Sequence, residues 1–246
     1  MKITERLYLV GSGRSGFGMT NPSDSHVYLV ESTSGNIMID AGVGLEVDRI
    51  IGVIEGDGID PPTVDHLFLT HVHSDHAGGT AEFKRRFDCT VYVPRLEAEI
   101  LRTGDEDLLS LPVAKADGIY PEDYTFTPCN PDVELAGGET FTFGEVTVQA
   151  IHTPGHSSGS TCYLVETEGK RCLFSGDVVL HNGLLLFLNC LGSTMEGYRA
   201  SLPKLAGLDV DMLMPGHGLF TFSNGQEHID KAVEAIKHLA PPPAMW

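Results

Sequence analysis

Apolar residues along this chain fall into short runs rich in valine, isoleucine and aromatics, separated by turns of glycine, proline, asparagine and aspartate. Runs of that length and content predict β-strands. They lie at residues 7–10, 27–30, 36–40, the run ending at Leu67-Phe68-Leu69, 90–93, 140–143, 146–151, 161–165, 171–174 and 212–214. Between them, apolar positions spaced three and four apart predict helices over 45–54, 80–87, 95–103, 108–116, 196–205 (despite Pro203) and 226–239. The last has Ser223 or Asn224 as its N-cap and an apolar stripe of Ile229, Ala232, Val233, Ile236 and Ala240, which reads as core packing. Pro241-Pro242-Pro243 stops it and leaves the lone Trp246 in a short tail.

Five of the apolar runs end in polar or glycine-rich turns: Asp40-Ala41-Gly42, Thr70-His71, His152-Thr153-Pro154-Gly155-His156, Ser175-Gly176-Asp177 and Pro215-Gly216-His217-Gly218. Strands that end this way put polar side chains on one rim of a scaffold. Residues 104–131, with Asp105-Glu106-Asp107, four prolines and Asp117-Gly118, break the regularity and read as an insertion covering a site. Nothing marks a second domain, so residues 1–246 are expected to form one.

The 246 residues are enough to bury a substantial core, and 41% hydrophobic with 20% charged is the balance of an ordinary globular protein. The net charge of −18 repels polyanions, so no nucleic-acid partner is expected. Five cysteines, odd in number and with no C-x-x-C pair, suit reduced and mostly buried thiols. The first residues carry charges and no signal-like apolar core, and no apolar run approaches membrane-spanning length. The expectation is a cytoplasmic protein with a small-molecule substrate and no membrane partner.

Chemistry concentrates at Thr70-His71-Val72-His73-Ser74-Asp75-His76-Ala77-Gly78-Gly79, with three histidines and an aspartate inside six residues. His71 and His73, two apart at a strand end, point the same way. Asp75 and His76 follow where the chain turns. Imidazoles and a carboxylate converging from two directions suit zinc, iron or manganese. Two other motif matches fail. Gly11-Ser12-Gly13-Arg14-Ser15-Gly16 fits a dinucleotide fingerprint, but Gly18, Asn21 and Pro22 prevent the helix it needs, so a mobile glycine-rich loop is expected. Gly155-His156-Ser157-Ser158-Gly159 fits a nucleophile elbow, yet a strand follows where a helix is required.

The ordered set T-H-x-H-x-D-H, T-P-G-H, S-G-D and P-G-H resembles the metallo-β-lactamase superfamily over nearly the whole chain. The resemblance implies an α+β fold: a four-layer αβ/βα sandwich of two mixed β-sheets with helices outside. It implies that His71, His73 and His156 hold one metal ion, that Asp75, His76 and His217 hold a second, and that Asp177 bridges them. Asp75 and Asp177 are then the carboxylates of the reaction centre. The implied cofactor is two zinc ions per chain, with iron or manganese as alternatives. Asp40 matches a position that supports the ligands, and His152 and His181 are candidates for ligand support or substrate contact. In such a centre a metal-bridging hydroxide, made available near pH ~7, attacks an ester, lactone or thioester carbonyl.

This chain departs from several branches of that family. Leu180-His181-Asn182-Gly183 stands where glyoxalase II and the persulfide dioxygenases carry a G-C-G-R-like loop. Leu180 occupies the place of the tyrosine typical of acyl-homoserine lactonases. The expectation is a stand-alone hydrolase of the lactonase or glyoxalase II-like kind. Its alternatives are a phosphoester hydrolase on the same site, a mononuclear iron enzyme of the persulfide dioxygenase type, and a noncatalytic or redox-partner protein. Leu184-Leu185-Leu186-Phe187-Leu188 reads as an apolar substrate wall, or equally as a buried strand or a homo-oligomer contact.

Overall fold

The computed structural model describes residues 1–240 and 242–244, and Pro241 and Trp246 lie outside the described residues. The chain divides into two compact units, Met1–Glu134 and Leu135–Trp246.

The first unit is built on a mixed sheet in the order β1 (Leu7–Gly11), β2 (Val27–Val30), β3 (Asn36–Ile39), β4 (Val64–Phe68), β5 (Thr90–Pro94) and β6 (Val133–Leu135). The hairpin-linked strands β1, β2 and β3 pair antiparallel, whereas β3, β4 and β5 pair parallel. Parallel neighbours need crossovers. These are helix α1 (Val47–Gly56), then α2 (Ser74–Ala77) with α3 (Thr80–Phe87). Val47, Ile50 and Ile54 bury one face of α1, and Phe83 anchors α3. Because β3 and β4 run in the same direction, Asp40 and the stretch from Thr70 leave the sheet at the same rim.

After β5 come α4 (Ala98–Thr103) and α5 (Leu111–Ala116). The first is preceded by a separate 3-10 turn at Arg95–Glu97, so the expected single helix over 95–103 is split. The second starts later than the apolar spacing suggests, because Ser110 has φ 56° and Pro112 occupies the opening turn. The irregular stretch 104–131 buries Leu109, Leu111, Tyr120, Tyr124, Phe126 and Cys129 in the unit's main core. Burial at about 1.5–3 kcal/mol per large side chain fastens it to the scaffold.

The second unit holds the other mixed sheet, in the order β11 (Met212–Pro215), β10 (Lys170–Gly176), β9 (Thr161–Thr167), β8 (Val146–His152) and β7 (Thr140–Phe143). Strands β7 to β10 form an antiparallel meander, and β11 joins β10 in parallel. It follows that β8, β10 and β11 all point the same way, which places His156, Asp177 and His217 after three strand ends at one rim. Helix α6 (Met195–Ser201) and a 3-10 turn at Leu202–Leu205 lie in the β10–β11 crossover. The expected helix over 196–205 tightens to 3-10 where Pro203 removes an amide donor. Helix α7 (Gly225–Ala235) ends four residues before the expected Leu239. Asn224 precedes it at φ 57° without a side-chain cap, and the amides of Gly225 and Gln226 donate instead to the carbonyls of Asp211 and Val210. Residues 184–188 form no strand. Leu185 and Leu186 are buried, Phe187 is 44% exposed, and Leu185 makes one isolated bridge to Ala244.

Candidate metal centre

In the first unit the geometry grows from the end of β3. Asp40 sits there at φ 63°, a left-handed conformation that aspartate tolerates better than most residues, and its buried carboxylate accepts four contacts. Thr70 donates its amide to Oδ1 at 2.8 Å and its hydroxyl to Oδ2 at 2.8 Å, with Oδ1 also 3.1 Å from that hydroxyl. His76 places Nδ1 2.8 Å from Oδ2. Burial pushes the Asp40 carboxyl above the usual carboxylate range, and His76 and Thr70 pull it back toward the ionised form.

That network sets the tautomers. A carboxylate only accepts, so His76 carries its proton on Nδ1 and turns Nε2 toward the rim. The Thr70 hydroxyl has one hydrogen, committed to Asp40, so its contact of 3.1 Å with His71 Nδ1 is received from the imidazole. His71 therefore also presents Nε2. That atom lies 3.1 Å from His73 Nδ1, with the rings at 83°. A tetrahedral zinc with Zn–N bonds of ~2.0–2.1 Å would hold two ligand nitrogens about 3.3 Å apart. In α2, His76 Nε2 lies 3.6 Å from Asp75 Oδ2.

The backbone of this stretch is pinned at several points. Val72, between the two histidines, donates its amide to the buried Glu97 Oε2 at 2.6 Å. The Asp75 and His76 carbonyls accept from the amides of Ser25 and Ala41, and Gly79 donates to Gly42. A Cβ on Gly78 or Gly79 would lie 2.2 Å from the carbonyl of Val43 or Ala41, so no larger residue fits in this close approach. The 104–131 stretch reaches in as well. Tyr120 donates its hydroxyl to Asp75 Oδ1 at 3.0 Å, and Tyr124 donates to the Val43 carbonyl at 3.0 Å.

In the second unit, His156 donates Nδ1–H to the Leu186 carbonyl at 2.7 Å, which again leaves Nε2 as the lone-pair nitrogen. The buried Tyr198 donates to that same carbonyl at 2.9 Å. Its ring packs so closely on Gly155 that a Cβ there would lie 2.5 Å from Cγ. Asp177 Oδ2 stands 3.5 Å from His156 Nε2 and 3.4 Å from His217 Nε2, so one carboxylate oxygen faces two imidazoles. The amide of Gly216 bonds the Gly176 carbonyl, which ties the ends of β10 and β11 together.

Among the described residues, the side chains that belong to groups able to hold a metal ion are His71, His73, Asp75, His76, His156, Asp177 and His217. The donor set fits a borderline metal such as zinc, and three buried imidazoles have tautomers fixed for it. Asp40 is the support behind His76 and, through Thr70, behind His71. His152 donates Nε2–H to the Ser158 carbonyl, and its own carbonyl accepts from Lys204. His181 packs its ring 4.5 Å from that of His228. Neither belongs to a potential ligand group among the described residues. Ser157 is buried with Oγ 2.8 Å from Ser160 Oγ, and the next element is the strand β9 from Thr161, not a helix, which is not the geometry of an elbow nucleophile. The 11–18 loop opens no helix and is stitched to itself and to residues 22–24, through Gly13 to Asp24 and Arg14 to Pro22.

Sequence reasoning missed Glu97, Tyr120 and Tyr198 and gave Thr70 no role. Glu97 is an acid at a position that ends up buried, and nothing local announces that. Tyr120 and Tyr124 stand four apart in an irregular stretch, and only the fold shows that one of them reaches a candidate ligand.

A family profile described as the metallo-beta-lactamase superfamily matches residues 20–217. The lactamase-like protein nscB of Neosartorya fischeri is 34% identical over 205 residues, covering 80% of this chain and 51% of that protein. A protein named thioesterase pkgB from Emericella nidulans is 30% identical over 196 residues, covering 79% of this chain and 46% of its own length. The chain spans about half the length of the curated relatives it matches. Among solved structures, a mutant metallo-beta-lactamase from Cronobacter sakazakii superposes with a TM-score of 0.71 at 25% identity, covering 89% of this chain and 79% of that one.

Proposed function

The chain belongs to the metallo-β-lactamase superfamily, and from that premise we propose that it is a binuclear metal-dependent hydrolase of thioesters. Supporting the hydrolytic reading is one observation above the others: His71, His76 and His156 each commit Nδ1 to a neighbouring oxygen and so keep Nε2 for a metal. Support for a thioester substrate comes from relatives named as thioesterases, one of them an atrochrysone carboxyl ACP thioesterase from Aspergillus fumigatus.

In this reading His71, His73 and His156 hold one ion, and Asp75, His76 and His217 the other. Asp177, whose Oδ2 faces both His156 and His217, would be the carboxylate shared between them. When bound, such a pair supplies Lewis acidity, making water a competent nucleophile near neutral pH and stabilising negative charge on a carbonyl oxygen. The protein's own part is orientation. Asp40 and Thr70 hold the proton of His76 and of His71 on Nδ1, and the Leu186 carbonyl does the same for His156. Glu97 fixes the backbone between His71 and His73. A thiol has a pKa near ~8.5, so a thiolate leaves without prior protonation and no side chain is assigned as general acid.

The test is metal analysis of protein prepared without chelator, followed by kcat/KM on a matched acyl thioester, oxygen ester, lactone and phosphodiester. Two ions per chain and a preference for the thioester are expected. One iron with no second metal would favour the oxygenase alternative. A phosphodiester preferred by more than about tenfold, or ~1.4 kcal/mol of transition-state stabilisation, would overturn the carbonyl reading.

A further inference from the structure

The segment 104–131 supplies one group that the ligand assignment does not use. Tyr120 is 8% exposed, packs its ring 5.2 Å from that of Tyr124, and donates its hydroxyl to Asp75 Oδ1. The other carboxylate oxygen of Asp75, Oδ2, is the one 3.6 Å from His76 Nε2. The two oxygens are thereby distinguished: one is tied to the insertion, and the other lies beside a candidate ligand nitrogen.

We infer that Tyr120 is a positioning residue for Asp75, orienting the carboxylate to coordinate through Oδ2 alone and so setting the affinity for the second metal ion. This rests on the binuclear reading above. Its physical basis is the rotation of a carboxylate about its last torsion, which is broad and weakly restrained. An unrestrained aspartate could present either oxygen, or both, to an ion. A phenol bonded to one of them fixes the plane and directs the other. A carboxylate only accepts, so the phenol is the donor in this bond. Tyr120 itself is held from both sides. The Ile119 carbonyl accepts from the Ser23 hydroxyl, and Tyr124 bonds the Val43 carbonyl just past Asp40. The insertion therefore acts on the metal site through one phenol.

Tyr120→Phe tests this with metal binding as the readout. The variant keeps the ring and its packing and removes only the donor, and zinc is titrated into apo protein against a competing chelator. The expectation is that wild type takes two equivalents, and that in Tyr120→Phe the weaker step loses about 10–100-fold in affinity, the range for partners of metal ligands, while the tighter step is unchanged. Tyr124→Phe is the structural control: it removes a hydrogen bond in the same segment and is expected to lower Tm without separating the two binding steps. Unchanged affinities in Tyr120→Phe beside a two-equivalent wild type would overturn the positioning role alone. Equal weakening of both steps, or the same split in Tyr124→Phe, would assign Tyr120 to general packing and overturn it too. A wild type that takes one equivalent would instead sink the binuclear reading on which it stands.

Discussion

Asp40→Asn is the substitution with the most far-reaching consequence for its size. The amide oxygen can keep the Thr70 backbone bond of 2.8 Å, so the loop after β4 stays attached. The amide nitrogen, however, takes the place of Oδ2, which now accepts from the Thr70 hydroxyl and from His76 Nδ1. Two donors then face a donor. His76 relieves the conflict by moving its proton to Nε2, the atom a metal needs. Thr70 relieves it by accepting from the new amide, which frees its hydrogen for His71 Nδ1 and sends the His71 proton to Nε2 as well. One atom exchanged in the core thus reverses two imidazoles. A metal at Nε2 must undo each reversal, and His76 then lacks its bond to the carboxylate, worth about 1.5–3 kcal/mol. That corresponds to a loss of roughly 10–150-fold in metal affinity, consistent with the 10–100-fold usual for such partners. Stability of the apo protein is expected to change by less than ~1 kcal/mol, because relief of a buried charge offsets the weaker bonds. Zinc titration against a chelator, thermal melts of the apo protein and nitrogen NMR of the imidazoles check the three parts. Zinc affinity within threefold of wild type, with both histidines still protonated on Nδ1, would refute the reasoning.

Two further outcomes are expected. Ser157→Ala removes a buried hydroxyl pair with Ser160 and is expected to cost ~1 kcal/mol in stability while thioester turnover persists; loss of turnover with metals retained would point to a serine nucleophile. Glu82 is held down to about 2 by hydrogen bonds from Arg85 and Arg86. Its folded value lies below the unfolded one, so its contribution is present above pH ~4.5 and fades as pH falls toward 2. These side chains are substantially exposed, so solvent screening limits the effect, and Glu82→Gln is expected to cost no more than ~0.5 kcal/mol at pH 7 in urea denaturation. A difference that grows on acidification would contradict this.

The strands were legible because β-branched runs between glycine and proline turns leave little choice, as at Val27–Val30 and Thr140–Phe143. Helix ends were less so. Periodicity continues through Pro203 and past Ala235, whereas the chain tightens at one and stops at the other. Strand β6, Val133–Leu135, offers one glutamate between two apolar residues and no pattern to recognise. The histidines and aspartates were legible because ligand chemistry forces residue type. Their supports were not. A carbonyl such as that of Leu186 can brace a ligand from any residue, and a tyrosine such as Tyr120 bonds wherever the fold carries it.

The backbone bonds that fasten the ligand stretch have a consequence for inheritance. Ser25 and Ala41 brace Asp75 and His76 through main-chain amides, and every residue but proline carries that group. Variation at these two positions is limited by room and not by bonding. A lineage can therefore exchange these two side chains for others that fit the space without displacing the donors. Proline at 25 or 41 is the change it cannot make.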